Sequence, residues 1–323
     1  MKRALWTLFS VAMFWSLSLP AWAQDFYVVA AGRKLKNVVT VAKSGGQYTD
    51  VKAAIDSIND AGADNPYLVY IGPGIYAVTS PIQLKAHVTV TGSGREATLL
   101  RGAISTEDKS SSAVILGADN AVLTQLGVEN TGGSENSIGI YNSEDSPVLE
   151  NIAVNASGGT TIHGVCNYHS SPTMTNVTVT GSGSGGTFFN AGVYNIQSSS
   201  PTMTNVTVTA SGGTNNYGIY NESSSPTMIN VTVTGSGGDY SFGVLSFSSS
   251  ALIRNCTLKG SSYSIYCYPP SSLIIHNSLI DGSIGGSGDI YIANSRLNGG
   301  MEGSLTYHCI GNYGTTFQPV NCP

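Results

Sequence analysis

The chain has 323 residues, only 10% of them charged, and a formal net charge of −5. No basic stripe is present, so nucleic acid is not an expected partner, and the acidic balance disfavours unaided binding to a polyanion. Glycine is abundant, at 39 residues, but regular valine and isoleucine supply the apolar surface that disordered chains lack.

The first predicted element is a secretory signal peptide at residues 1–23. Lys2 and Arg3 form a basic n-region, an apolar run follows, and Ala21-Trp22-Ala23 is a small-residue cleavage site. We expect cleavage after Ala23 and export to the periplasm or the extracellular medium. The alternative is an uncleaved membrane anchor, for which the apolar run is short. No later segment is long and apolar enough to cross a bilayer.

A capping segment is predicted next. Residues 38–60 indicate a strand, a glycine turn and then a short helix with Thr49 as N-cap. Its apolar face is predicted to be Val51, Ala54, Ile55 and Ile58. Such an amphipathic helix would plug the end of a sheet structure and cover its exposed edge.

The central part of the chain repeats itself. The phrase SSPTMTNVTVTGSG occurs three times with small changes, and GIYN-like phrases alternate with it. A period in the twenties, with short alternating strands and no helical periodicity, is typical of a solenoid. The repeated proline position, whose fifth copy is an alanine, is occupied by Pro147, Pro172, Pro201, Pro226 and Ala251.

Strand alternation assigns a direction to each side chain of the repeat. Met174, Val177 and Val179 are predicted to point inward and the threonines outward, while Asn176 bends the chain. In GVYN, Val193 is predicted inside and Tyr194 outside. Stacked asparagines can hydrogen-bond along their row. One coil buries too little apolar surface to offset its ordering entropy, so the coils must stabilise one another.

These patterns predict an all-β protein, a right-handed parallel β-helix with an N-terminal capping helix. After the signal peptide, residues 24–37 are predicted to form an extension. Residues 38–302 are predicted to form the β-helix with its cap. Residues 303–323 are predicted to form a C-terminal tail that closes it. The sequence does not indicate the oligomeric state.

The N-terminal part resembles a known group. VAKSGGQYTDVKAAIDSI, IGPGIY, VTVTGSGREATLLRG and LTQLGVENTGG are similar, in the same order, to phrases of the pectin-lyase-like superfamily and within it of the pectinesterases. The resemblance covers about residues 38–133 and implies the β-helix fold. It implies a catalytic site much less, because these phrases build coils and caps.

The catalytic motifs of those enzymes are not found. Pectinesterases carry QAVAL, QDTLY and DFIFG-type motifs with two aspartates, but the corresponding coils here read SIGIYN, TIHGVCNY and FFNAGVYN. Residues 151–221, 71 in all, contain no Asp, Glu, Lys or Arg. Acid–base chemistry on glycans generally needs paired carboxylates. We therefore assign no catalytic residue. The turn carboxylates Glu144, Asp145, Glu222 and Asp239 are expected to be solvated surface charges.

Other motifs are weak. GSGREA lacks the third glycine and the following helix of a dinucleotide loop, and no loop has the ligand spacing of a calcium or zinc site, so we expect no cofactor and no metal. His163 and Cys166 could suggest a Cys–His nucleophile. Positions three apart on a strand face opposite sides, so we interpret them as one imperfect copy of the repeat.

An outward aromatic stripe is the candidate binding surface. The tyrosine position of the repeat is predicted to run through Tyr141, Cys166, Tyr194, Tyr220, Leu245, Tyr266 and Tyr291. Tyr141, Tyr194, Tyr220 and Tyr266 are the candidate carbohydrate-binding residues, since ring faces suit the apolar faces of sugars. The alternatives are packing against a loop, self-association and simple β-propensity.

The five cysteines lie in a chain predicted to be exported, where disulfides are permitted. Cys309 and Cys322 enclose a short loop and are predicted to pair. Cys256 and Cys267 are a weaker second pair, which would leave Cys166 free.

Three functions remain open from the sequence. The first is non-catalytic binding of a polysaccharide or cell-surface glycan. The second is a divergent carbohydrate-active enzyme of the pectinesterase or pectate-lyase type, and the third is a structural or adhesive repeat module. The neutral coils favour the first and third, whereas the N-terminal resemblance favours the second.

Overall fold

The computed structural model describes residues 37–316 and 318–320. The predicted signal peptide, and the predicted extension up to residue 36, lie outside the described residues. The compact unit that begins at Asn37 is built almost entirely of short strands. They are β1 (Val38–Val41), β2 (Tyr67–Ile71), β3 (Gly74–Val78), β4 (Ile82–Gln83), β5 (Val88–Thr91), β6 (Thr98–Gly102), β7 (Ala113–Leu116), β8 (Val122–Thr124), β9 (Gly127–Asn130), β10 (Asn136–Ser143), β11 (Val148–Glu150), β12 (Ala153–Ser157), β13 (Thr161–Tyr168), β14 (Thr173–Thr175), β15 (Thr178–Ser182), β16 (Phe189–Ile196), β17 (Thr202–Thr204), β18 (Thr207–Ser211), β19 (Asn215–Glu222), β20 (Thr227–Ile229), β21 (Thr232–Ser236), β22 (Tyr240–Phe247), β23 (Leu252–Arg254), β24 (Thr257–Gly260), β25 (Tyr263–Tyr268), β26 (Ser272–His276), β27 (Leu279–Ile280), β28 (Ile284–Ala293), β29 (Arg296–Leu297) and β30 (Ser304–Ile310).

The strands form the three faces of a parallel β-helix, which confirms the predicted solenoid. Each strand pairs in parallel with its counterpart one coil away. The first face contains β1, β2, β5, β8, β11, β14, β17, β20, β23, β26, β28 and β30. The second face contains β3, β6, β9, β12, β15, β18, β21, β24, β27 and β29. The third face contains β4, β7, β10, β13, β16, β19, β22, β25 and the start of β28, a strand that continues into the first face.

A short helix, α1 (Val51–Asp56), lies near the N-terminal coil, and a 3-10 turn (Ser110–Ser112) precedes β7. Asp50, not the predicted Thr49, is the N-cap: its carboxylate accepts a hydrogen bond from the Ala53 amide at 2.7 Å. Aspartate satisfies a helix N-terminus because it reaches the free amide of the first turn. That α1 closes the end of the solenoid stays a prediction. Among the described residues, no helix has the length and apolar character needed to span a membrane.

The inward positions of the repeat match the prediction. Met174, Val179 and Val193 are completely buried, and Val177 is 1% exposed. Residue-for-residue pairing between coils places methionine over methionine and valine over valine. The core is therefore a set of stacked rows, and each coil buries its apolar side chains only with its neighbours in place.

The asparagine that follows the first-face strand bends each coil, as predicted. Asn151, Asn176, Asn205 and Asn230 have φ between 52° and 55°, a left-handed conformation that asparagine tolerates better than most residues. Their amides form a ladder along the corner, with donor–acceptor distances of 3.1–3.2 Å.

A second asparagine ladder, not predicted from the sequence, lies inside the third face. Asn142 donates to Asn167, Asn167 to Asn195 and Asn195 to Asn221, at 2.7–2.9 Å. All four side chains are completely buried. Buried amides are stable only when hydrogen-bonded, so each coil depends on its neighbours for polar as well as apolar contacts.

Candidate functional site

The outward surface of the third face is shaped by a row of glycines. Gly139, Gly164, Gly192 and Gly218 face the interior, where an added Cβ would overlap a valine Cγ1 of the second face. The residue after each glycine also points into the core, as Val165 does. The glycine and the residue after it therefore both face inward, which interrupts the inward–outward alternation of the strand. As a result, the residue before the glycine and the residue two positions after it both face outward.

This shift corrects the interpretation of His163 and Cys166. Both lie on the outer side of β13, whereas strict alternation predicts opposite sides. Cys166 pairs in register with Tyr141 and Tyr194, and His163 pairs with Ile138 and Ala191.

The four candidate tyrosines lie in a single row, as predicted. Tyr141 is followed by Cys166, Tyr194, Tyr220, Leu245 and Tyr266 in successive coils. The predicted last member is wrong: Gly285 pairs with Tyr266, and Tyr291 lies on the first face beside Ile274. The reason is that β28 is one long strand that begins on the third face and ends on the first face. Its IYI phrase lies in the part on the first face, whereas the corresponding phrases of earlier coils lie on the third face.

Sequence reasoning missed a second aromatic row next to the tyrosine row. Tyr217, Phe242 and Tyr263 are in register in successive coils, each three residues before a member of the tyrosine row. Their rings stack, with centroids 5.6 Å and 6.1 Å apart. We call the aromatic residues of the two rows from Tyr194 to Tyr266, together with the adjoining Phe189, the aromatic face; its members are Phe189, Tyr194, Tyr217, Tyr220, Phe242, Tyr263 and Tyr266. The candidate Tyr141 lies outside it and packs against Ala113, Ile138 and Cys166.

The rings of the aromatic face pack against one another. Tyr220 contacts Tyr194 and Tyr217 with centroids 5.2 Å and 5.1 Å apart, and Tyr263 contacts Tyr266 at 5.0 Å. Most of these side chains are half-buried. More exposed rings lie at the edges of the face: Phe188 is 66%, Tyr240 59% and Tyr268 43% exposed. Large exposed rings beside a packed aromatic surface are a feature of binding sites.

Burial also sets the ionisation of the tyrosines. Burial, followed by the charge of the neighbouring Glu222 carboxylate, raises the pKa of Tyr220 to about 12. The pKa of Tyr194 is raised for the same two reasons. At neutral pH these hydroxyls therefore stay protonated and can donate hydrogen bonds.

One end of the aromatic face is covered by the loop between β6 and β7. Lys109 in this loop lies over the Tyr194 ring, 4.9 Å from its centroid. Beside it, Ala113, Ile138 and Cys166 form a small buried cluster outside the main core. The loop thus covers the face at Tyr194, whereas the exposed rings of Tyr240 and Tyr268 lie further along the solenoid.

His163 and Cys166 are both buried. Burial raises the pKa of Cys166 to about 12, and burial, followed by the charge of Lys109, lowers the pKa of His163. The His163 ring stacks on Tyr194 at 4.7 Å, and neither ring nitrogen has a hydrogen-bond partner. A neutral thiol is a poor nucleophile, so this pair is not a nucleophilic site.

Carboxylates are sparse around the site. On the outward positions of β10, β13, β16, β19, β22 and β25, all of them described, Glu222 alone carries a carboxylate. Glu144 and Asp145 lie in the turn after β10, where Asp145 accepts a hydrogen bond from the Asp119 amide. Asp239 is exposed before β22. Within residues 37–316 and 318–320, no group of three or more His, Cys, Asp or Glu could hold a metal ion.

The predicted pairing of Cys256 with Cys267 is wrong. Both are free, buried thiols, as is Cys166. Cys256 follows β23 and accepts a hydrogen bond from the Val231 amide, whereas Cys267 lies on β25 in the row of the interior asparagines. The two cysteines fill core positions on different sides of one coil. Cys322 lies outside the described residues, so its disulfide with Cys309 stays a prediction.

Peptide mapping checks that disulfide. Digestion without reductant should give one peptide pair joined through Cys309 and Cys322, and closing such a loop should stabilise the fold by about 3 kcal/mol. The other three cysteines should react with a thiol reagent only after unfolding, because they are buried. A reduced Cys309 in the native protein would contradict the pairing.

Comparison with known proteins supports the fold. Residues 37–170 match the pectinesterase family model, which confirms the resemblance seen in the sequence. No curated protein matches the chain.

Three solved structures share the architecture. ORF18 of Geobacillus virus E2 has a TM-score of 0.62 at 14% identity, over 85% of this chain and 61% of that one. Pectate lyase Pel9A has a TM-score of 0.58 at 13% identity, over 87% and 80%. Tailspike protein 2 of the Escherichia coli O157:H7 bacteriophage CAB120 has 0.51 at 16%, over 86% and 42%. The chain thus spans about three fifths and two fifths of the two viral proteins. At these identities the likeness is one of fold, the parallel β-helix.

Proposed function

We propose that this protein is exported after cleavage following Ala23 and binds a neutral polysaccharide, or a cell-surface glycan, without catalysing a reaction. The aromatic face is the proposed binding surface. The observation that carries the proposal is a double row of aromatic rings, interrupted in one row by Leu245. Glu222 lies beside it on β19, and Glu302 accepts a hydrogen bond from the Tyr263 hydroxyl at 3.0 Å.

The spacing and chemistry of the rings support this proposal. Neighbouring coils of a parallel sheet are about 4.8 Å apart, so the rows present rings at a short, regular interval along which an extended chain can lie. Ring faces suit the apolar faces of sugars, and tyrosine adds a polar group. The protonated hydroxyls of Tyr194 and Tyr220 supply hydrogen-bond donors. The net charge of −5 favours a neutral ligand over an acidic one.

The proposal that the protein catalyses no reaction rests on the small number of carboxylates on the third face. Glycoside hydrolysis needs a general acid and a second carboxylate. Glu222 has no carboxylate partner on the described outward positions of the third face. The Cys166 thiol is buried and neutral, so it does not supply an alternative nucleophile.

The packing of the tyrosines decides which substitutions can test binding. Tyr194 and Tyr220 contact each other and their neighbours, so replacing both would disturb the fold along with the surface. Tyr268 is a cleaner probe: it is 43% exposed and its ring lies 5.0 Å from that of Tyr266. Tyr291 on the first face is 42% exposed and is a matched control.

Tyr268→Ser is expected to weaken binding to a neutral polysaccharide about two- to tenfold, since one aromatic contact contributes about 0.5–1.5 kcal/mol. Tyr291→Ser should leave binding unchanged. Affinity gel electrophoresis against a panel of neutral and acidic polysaccharides measures both, and thermal unfolding checks that both variants are folded.

Two outcomes would contradict the proposal. The first is the absence of binding to any polysaccharide in the panel, which would favour a structural or adhesive module. The second is release of methanol or chain cleavage of pectin by the unmodified protein that is lost in Glu222→Gln. That result would favour the pectinesterase-like function that the match over residues 37–170 suggests.

A further inference from the structure

A second regular surface lies on the second face, away from the aromatic rings. The strands β15, β18 and β21 have the sequences TVTGS, TVTAS and TVTGS. They pair residue for residue, and their valines are buried. The outward positions form a three-by-three array of hydroxyl groups, which we call the hydroxyl grid: Thr178, Thr180, Ser182, Thr207, Thr209, Ser211, Thr232, Thr234 and Ser236.

The fold does not require hydroxyls at these positions. In the row that contains Thr180, earlier coils carry Arg101 and Glu129, which form an ion pair, and a later coil carries Lys259. Lys259 pairs with Asp281 one coil further on. Charged side chains are thus compatible with the row on both sides of the grid, whereas three consecutive coils have none.

Strand propensity explains only part of this pattern. Threonine is enriched in strands, but serine is not, and the third row of the grid is serine in each of the three strands. The shared property of all nine side chains is a hydroxyl that can both donate and accept hydrogen bonds. The Arg95 side chain lies at one corner of the grid, where its guanidinium donates a hydrogen bond to the Thr178 hydroxyl at 3.5 Å.

The spacing of the grid resembles that of a water lattice. Strands of one sheet are about 4.8 Å apart, and outward positions two residues apart are separated by about 6.6 Å. Hydrogen-bonded oxygens are about 2.8 Å apart, so second neighbours in a tetrahedral lattice are about 4.6 Å apart and two bridging waters span about 7 Å. Waters bound to the hydroxyls can therefore also bond to one another in an ice-like arrangement.

We propose that the hydroxyl grid binds the surface of ice. The complementarity is between two lattices of donors and acceptors, and the nine side chains of the grid carry no charge, although the Arg95 guanidinium contacts its corner at Thr178. A charged side chain would hold its own hydration shell in a different geometry, and no Asp, Glu, Lys or Arg occurs from residue 151 to 221. A sugar ligand is a poorer match, because no aromatic ring lies on these strands. This activity is independent of glycan binding, which uses the third face.

The chain offers a matched pair of substitutions for the test. Thr209→Lys places in the centre of the grid the residue that the same row carries at Lys259. Thr204→Arg, in the same coil but on the first face, introduces the residue that its row carries at Arg254. Both changes put one cation on an outward position that the fold already accepts elsewhere.

The protein without the predicted signal peptide, residues 24–323, is tested with a single seed ice crystal in an osmometer, in dilute buffer. The unmodified protein should open a gap between the freezing and melting temperatures and should shape the crystal. Thr209→Lys should lose most of that gap, and Thr204→Arg should retain it. No gap in the unmodified protein, an equal loss in both variants, or a loss confined to Thr204→Arg would each overturn the proposal.

Discussion

Val206→Asp is expected to lower the free energy of unfolding by several kcal/mol at neutral pH. Val206 is 1% exposed and lies in the main core, so the carboxylate would be buried with no partner. The loss should extend beyond one coil, because coils of a solenoid are stable only through their interfaces with neighbours. Denaturant unfolding followed by circular dichroism measures the change.

The neighbouring Thr207→Asp is the control for that prediction. Thr207 is exposed and outward-facing in the next position of the same coil. An exposed substitution of this kind should change the free energy of unfolding by no more than about 0.5 kcal/mol. Equal losses in the two variants would show that the inward and outward assignment of the repeat is wrong.

Asn195→Asp is expected to destabilise the protein by about 3 kcal/mol or more at neutral pH, since a buried hydrogen bond is lost and a charge is buried. Asn195 accepts from Asn167 at 2.8 Å and donates to Asn221 at 2.9 Å. A carboxylate retains the first bond, but it cannot donate, and it would place its oxygen against the Asn221 oxygen.

The pH dependence of this variant follows from burial. Burial raises the pKa of the introduced carboxyl above its unfolded value near 3.9. The protonated acid can donate to Asn221, so the variant should be least destabilised below about pH 4. The stability should then fall as pH rises through the raised pKa. Urea unfolding from pH 3 to pH 8, with the unmodified protein in parallel, separates this dependence from general acid effects.

Asn205→Asp is the matched control for the interior ladder. Asn205 also lies between two ladder partners, but it is exposed at the corner. Its φ of 55° is tolerated by aspartate, and water can solvate the new charge. A small loss without recovery at low pH is expected. A loss as large as that of Asn195→Asp would mean that burial does not distinguish the two ladders.

The sequence by itself determined the repeating unit and whether most of its side chains point inward or outward. Strand alternation assigns one side to each residue of TMTNVTV, and in-register repetition then stacks Met174 and Val179 on their copies. The left-handed corner at Asn176 could also be predicted, because asparagine recurs at one position of each coil and accepts this conformation. These features depend on local geometry and on identical neighbours, both of which can be read from the repeat.

Only the tertiary structure decided how the candidate sites are arranged. The glycine of each GIYN-like phrase lies against a valine of the opposite face, and this contact between distant strands shifts the alternation. The shift brings His163 to the side of Cys166 and creates the second aromatic row of Tyr217, Phe242 and Tyr263. In the same way, the position of Tyr291 depends on β28 joining two faces. Cys256 and Cys267 stay unpaired because they are buried at different positions of the core. The two-residue period of a strand predicts which side chains face inward and which face outward. Contacts across the interior determine where that period is interrupted.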